Sequence, residues 1–262
     1  LAAKYPDIES YVGQCIEQPS SMLRFSVTLF GLHAMALTTS HGTWYIDPYT
    51  QDAQNYIIYK LADLQTAKSF TCLTSNHDTT ARRVSGSILQ ELAPLDNGNF
   101  RTYRLAIATT VEYSAFQIEQ AGLQNGTRDE KMAAVLSAIT VTMTRVNSMF
   151  ERDLSVSLEL IPNNDLIVFI DEDELNNEDA GELLEGGNEI IYATIGAENF
   201  DMGHSFGTGG GGLAAGAPCS DFKAGAMTGL DSPVGDGFDI NYVAHEMGHQ
   251  FGAGHTFNIE CG

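Results

Sequence analysis

Between Tyr103 and Ile170 the apolar residues change their period twice, and the changes predict the elements. Tyr103-Arg104-Leu105-Ala106-Ile107-Ala108-Thr109-Thr110-Val111 is apolar enough to lie inside a sheet as a strand. Beyond Arg128-Asp129-Glu130, the residues Met132, Val135, Leu136, Ile139, Met143, Val146 and Phe150 recur every three or four positions. That spacing belongs to a helix with one apolar stripe, which runs to about Asp153 and packs on the sheet. Val156–Ile161 and Leu166–Ile170 return to strand length. A strand, a long helix and a strand in succession predict a right-handed crossover between parallel neighbours. Residues 98–262 are therefore expected to form an α/β domain on a mixed, mostly parallel, twisted sheet, with a further helical stretch around Ala180 to Ala193.

Residues 1–97 pattern differently. Arg24–Leu29, Leu32–Leu37, Thr43–Pro48 and Tyr56–Tyr59 are short, partly alternating runs broken by Gly31 and Gly42, which predicts a small β-rich domain. From about residue 74 to residue 99 the chain turns polar, through Thr74-Ser75-Asn76-His77-Asp78 and Asp96-Asn97-Gly98-Asn99, as a linker does. Arg82-Arg83 stands out there as either a processing site or two solvated charges.

Composition narrows the partners. The 262 residues carry 13 Lys and Arg against 34 Asp and Glu, a formal charge of −21, so nucleic acid and anionic membrane surfaces would repel the chain. No run of eighteen apolar residues is present to span a membrane, and no basic, apolar signal peptide opens the sequence. Asp171-Glu172-Asp173-Glu174 with Asn176 to Asp179 is the densest acidic run. Its oxygens suit Ca2+, but the run lacks the glycine-centred loop of a calcium motif and reads as a solvated loop. Cys15, Cys72, Cys219 and Cys261 allow three complete pairings, with pairing inside each half the simplest guess.

The candidate chemistry lies near the end, in His245-Glu246-Met247-Gly248-His249-Gln250-Phe251-Gly252-Ala253-Gly254-His255. Two residues four apart lie about 40° apart around a helix, so His245 and His249 can aim at one point. Glu246, about 100° around from His245, is placed to touch a water there as general base rather than to be a ligand. Gly252 can take positive φ, so the helix can stop and the chain return with His255 as third ligand. Three protein ligands and one open position describe a catalytic Zn2+ site. Ser232–Gly237 reads as the loop delivering the chain to this helix, with Asp239 as N-cap and Phe238 and Val243 as a hydrophobic staple.

At His245, Glu246, His249, Gly252 and His255 the sequence resembles the metzincin zinc peptidases, and the flanking Ala253-Gly254-His255-Thr256-Phe257-Asn258 looks most like the reprolysin (adamalysin) type of secreted bacterial examples. The resemblance implies a secreted zinc endopeptidase acting on protein or peptide substrates. It also implies that the Gly-rich stretch Gly209–Gly216 is an edge strand above the cleft, that residues 1–97 are a propeptide, and that the chain is a latent zymogen. The methionine-bearing turn of such enzymes is expected beyond Gly262. Cys72, in Ser69-Phe70-Thr71-Cys72, is the candidate fourth ligand that would block the metal, because a zinc-bound thiol is held as thiolate. A disulfide to Cys15 and a plain buried thiol are its commoner fates, and the surrounding residues depart from the usual blocking sequence of reprolysins. His204 reads as a sheet or rim residue. A non-catalytic adhesion or binding module retaining a zinc-holding fold is the alternative function.

Overall fold

The computed structural model describes residues 1–64, 71–74 and 98–255. Arg82-Arg83 and Cys261 lie outside the described residues. Two five-stranded sheets flank one long helix. The first is an antiparallel meander in chain order, made of β1 (Glu9–Gln14), β2 (Met22–Thr28), β3 (Gly31–Thr38), β4 (Gly42–Pro48) and β5 (Tyr56–Lys60). Strand β1 has no counterpart in the sequence pattern, because its residues are almost all exposed and do not alternate in polarity.

The second sheet contains β6 (Arg101–Thr109), β7 (Val156–Leu160), β8 (Met202–Gly207), β9 (Gly212–Ala214) and β10 (Ala226–Gly229), in the order β7-β6-β8-β10-β9. β7, β6, β8 and β10 run parallel, and β9 pairs antiparallel to β10 at the edge. This matches the mostly parallel sheet expected from the strand, helix and strand pattern. Helix α2 (Arg128–Leu154) makes the crossover. Its start is set by a capping box, in which the Thr127 hydroxyl accepts from Glu130 N–H and the Glu130 carboxylate accepts from Thr127 N–H. Met132, Val135, Leu136, Ile139, Met143, Val146 and Phe150 pack on Leu105, Ile107, Leu158 and Phe206 of the sheet.

The opposite side of α2 is covered as well, by β2 and β3 of the first sheet. The seam is largely polar: Ser10 Oγ lies 3.0 Å from Thr144 Oγ1, and the Arg24 guanidinium pairs with the Glu151 carboxylate. At its centre Arg145, with 3% of its side chain exposed, meets Asp47 of β4 at 2.5 Å, Asp239 at 2.9 Å and Asp236 at 3.2 Å.

Three expectations need correction. Leu166–Ile170 is not a strand: one turn of 3-10 helix covers Asn164–Ile167, and Val168 makes a single bridge to Thr109. The Asn164 side chain takes the place of a neighbouring strand, accepting from Ile107 N–H at 2.7 Å and donating to Ile107 C=O at 3.0 Å. The strand does not continue through Val111, because Thr110 caps a helix, α1 (Val111–Gln120), by accepting from Tyr113 N–H. Asp239 is not an N-cap. The helix begins at Gly235 as α4 (Gly235–Phe238), widens into one π-helical turn at Asp239–Ala244 and continues as α5 (His245–Gln250). Asp239 already has helical backbone, and its buried carboxylate accepts from Thr142 Oγ1 at 2.7 Å and from Arg145. Helix α3 (Ala180–Ile195) falls where expected and packs on β8 and β10.

Two outcomes follow from the Arg145 cluster. Arg145→Met should lower stability by about 3–5 kcal/mol in denaturant unfolding, since it leaves buried carboxylates without their counter-charge. Burial pushes the Asp236 carboxyl up to about 7 from its ordinary 3.8, against the pull of Arg145. A carboxyl with a raised folded-state pKa contributes stability below its unfolded value, and that stability is lost as pH rises through the folded one. Asp236→Asn should therefore flatten the decline in melting temperature between about pH 4 and pH 7, and an unaltered profile would remove Asp236 as its source.

Candidate metal centre

Helix α5 places His245 and His249 one turn apart, and both rings meet at their Nε2 atoms, 3.0 Å from each other. Gly252 has φ +87°, so the chain turns sharply after Phe251 and closes with Gly252 N–H on His249 C=O at 2.8 Å and Ala253 N–H on Gly248 C=O at 3.0 Å. That reversal brings His255 Nε2 to 3.1 Å from His249 Nε2 and 3.3 Å from His245 Nε2. Cys72 Sγ completes the group, 3.6 Å from His249 Nε2.

These spacings can be tested against a metal. Zinc to nitrogen distances of about 2.0–2.1 Å and a zinc to sulfur distance of about 2.3 Å, set at tetrahedral angles, require edges of about 3.3 Å between nitrogens and about 3.6 Å between nitrogen and sulfur. The observed separations lie within a few tenths of an ångström of both. The ring chemistry agrees. Ala253 C=O, 2.7 Å from His249 Nδ1, can only accept, so Nδ1 carries the proton and Nε2 presents its lone pair to the centre. Burial, followed by the neighbouring His249 and His255, lowers the His245 pKa to about 4. Burial also lowers His249, so both rings are neutral and able to ligate near neutral pH. The Cys72 thiol is pushed up to about 11, first by burial and then by its hydrogen bond to Glu246.

Glu246 is fully buried beside this cluster. Burial raises its carboxyl to about 7, against the pull of hydrogen bonds from Cys72 and Thr74. Its side chain lies under the edge strand at Gly212, where an added Cβ would come within 2.7 Å of the Glu246 carboxyl carbon. The segment Thr71–Thr74 runs parallel along the free edge of β9: Gly212 N–H donates to Thr71 C=O at 3.2 Å, and Leu73 N–H donates to Gly212 C=O at 2.8 Å. The Gly-rich stretch thus supplies an edge strand, as expected, and a short extended segment already covers it.

All five residues singled out by the sequence, His245, Glu246, His249, His255 and Cys72, come together here. The disulfide reading of Cys72 is set aside, because Cys15 and Cys72 are both free thiols and Cys72 faces the histidines. His204 is a buried sheet residue rather than a rim one. Its Nδ1 lies 3.0 Å from Gln250 Oε1 and its Nε2 lies 2.8 Å from Thr228 Oγ1, while Gln250 Nε2 donates to Gly203 C=O at 3.0 Å. These bonds fix α5 to β8 and β10 immediately after its second histidine. Sequence reading missed Gln250, Thr228 and Thr74. Of the three, only Gln250 gave a signal, as a polar residue within the motif itself.

The acidic run serves structure. Asp173 accepts from Val111 N–H at 2.5 Å and Leu175 N–H at 2.8 Å, Asp179 caps α3, and Asp171 pairs with Arg128.

Residues 136–256 match the model of the metallo-peptidase family M12B, reprolysin-like. The matched span holds most of α2, the strands from β7 to β10, Glu246 and all three histidines. It does not reach Cys72 or the first sheet. No curated protein matches the chain.

Gly212→Ala should displace the Glu246 carboxylate and lower stability by about 1–3 kcal/mol, as overpacking of a closed site does. Chemical denaturation measures this, and an unchanged midpoint would mean that the side chain swings aside without cost.

Proposed function

We propose that the chain is a reprolysin-like zinc endopeptidase, secreted and made latent by its own N-terminal residues, which cleaves extracellular proteins or peptides. The observation that carries this reading is a group of four donor atoms, three histidine nitrogens at spacings that suit zinc and a thiol from a distant segment 3.6 Å from one of them, all within 4.8 Å of one another. The fourth donor comes from a segment far away in the chain, and its departure would leave three histidines and the open position of a catalytic site. The family match over residues 136–256 supports the same reaction class. The large negative charge supports a polypeptide substrate over nucleic acid.

Bound zinc would supply Lewis acidity and bring a water's pKa towards about 7. This chain's residues do the rest. Glu246, adjacent to the histidine cluster on the same helix, can take a proton from a water in the cleft and return it to the departing amine. Its burial under Gly212 keeps bulk water from competing for that proton. The free edge of β9 offers Gly212 and Ala214 backbone groups to an extended peptide once Thr71–Thr74 leaves it. In this reading residues 1–97 act as the propeptide and residues 98–262 as the catalytic domain, with Cys72 as the blocking ligand.

The test is digestion of casein by zinc-loaded chain before and after proteolytic removal of the N-terminal region, with and without a chelator. Chelator-sensitive cleavage that appears only after removal is the expected result. Absence of cleavage under every condition would favour the alternative, a zinc-holding binding module. Glu246→Gln should retain zinc by elemental analysis and lose about 10²- to 10⁴-fold in turnover, the usual contribution of a positioned base. His255→Ala should lose zinc on dialysis, and full retention would contradict its role as ligand.

A further inference from the structure

Thr74 lies two residues beyond Cys72 on the segment that covers β9. In an extended strand, residues i and i+2 point to the same side, so Cys72 and Thr74 both face the helix that carries the histidines. Cys72 reaches the nitrogen cluster. Thr74 reaches Glu246: its Oγ1 lies 3.1 Å from Glu246 Oε2.

The direction of that bond is fixed by a second one. Ala214 N–H, on the edge strand, lies 2.9 Å from Thr74 Oγ1 and can only donate. The hydroxyl therefore accepts from Ala214, and its single proton is left for the carboxylate. The backbone ladder shows what this arrangement replaces. After Gly212 N–H to Thr71 C=O and Leu73 N–H to Gly212 C=O, a regular parallel pairing would continue from Ala214 N–H to Leu73 C=O. Instead the Thr74 side chain takes the Ala214 donor, and the ladder ends on a hydroxyl in contact with the base.

We propose that Thr74 is a second blocking residue, whose hydroxyl caps Glu246 while Cys72 caps the metal position, so that the cleft recognises an extended Cys-x-Thr strand rather than a lone thiol. This rests on the latent-peptidase reading above and adds the half of the restraint that acts on the proton-transfer group. Cys72, which also bonds to Glu246, withholds the coordination vertex, and Thr74 adds a second bond to the base and occupies the Ala214 edge donor that a bound peptide would use. Valine has threonine's shape without its hydroxyl, so replacement by valine removes the two hydrogen bonds and little else.

The experiment follows iodoacetamide alkylation of Cys72 in the full chain, metal-free and zinc-loaded, with each cysteine resolved by peptide mapping. Cys72 is only partly exposed while the segment lies on β9, so loosening of that contact raises its rate above that of the seated segment. Thr74→Val should raise the Cys72 rate about tenfold or more, as expected for loss of a hydrogen bond to a carboxylate, and Thr74→Ser should restore it. The deciding comparison repeats the Thr74→Val pair in a Glu246→Ala background, where the ratio of rates should fall most of the way to one. An equal ratio in both backgrounds would overturn the proposal, because Thr74 would then act through β9 alone. No change on Thr74→Val would overturn it as well. The latent-peptidase reading is scored separately, by chelator-sensitive casein cleavage after proteolytic removal of the N-terminal region, which takes away Cys72 and Thr74 together: failure there would not alter the alkylation ratios, and equal ratios would leave cleavage untouched.

Discussion

Three imidazole nitrogens that converge 3.0–3.3 Å apart do not hold one another in place by their lone pairs. Lone pairs that converge at that distance repel unless a proton or a cation lies between them. The surrounding protein must therefore supply the force that keeps them converged until a metal turns repulsion into bonding. Helix α5 is braced for this on two sides. Met247 points into the main core with Phe238 and Val243, and Gln250 is tied to Gly203 and, through His204, to Thr228. Upstream, Asp239 is fastened to Thr142 and Arg145 on α2. A helix anchored before, within and after its ligands does not rotate, so the rings keep a common aim.

The same logic explains why the edge strand is rich in glycine. Glu246 must lie against the metal position and also under β9, which is possible only if the residue above it has no side chain. Gly211, with φ +80°, likewise lets Thr71 C=O approach, since a Cβ there would come within 2.9 Å of that oxygen. These glycines are contact surfaces, and the flexibility suggested by their composition is not their role here.

Much of the metal centre was legible because helical spacing is a local property: a spacing of four between histidines fixes a shared face whatever surrounds them. The long helix α2 and the parallel strands beside it were legible for the same reason. The start of α1 was misread over a local cap, Thr110 on Tyr113 N–H, and the other misread elements depended on a distant partner. Leu166–Ile170 has strand composition, yet the Asn164 side chain already occupies the neighbouring backbone of β6. Asp239 has the residue type of a cap, but Arg145, 94 positions earlier, claims its carboxylate. Thr74 and Glu246 are 172 positions apart, and nothing in either neighbourhood announces the bond. Cys72 fell between these cases: its chemistry made it a candidate ligand, while only the folded chain brought it to His249.

The seam between α2 and the first sheet differs in kind from the core on the other side of that helix. Hydroxyls and ion pairs, Ser10 with Thr144, Arg24 with Glu151 and Asp47 with Arg145, join the two surfaces beside a small apolar patch around Met35, Leu37 and Tyr45, while Leu1, Tyr5 and Ile8, ahead of the sheet, pack on the main core. Surfaces of this composition can be wetted. If the first sheet departs, α2 presents groups that water can satisfy, and the remainder of the molecule avoids the sticky face that parting of a greasy interface would create.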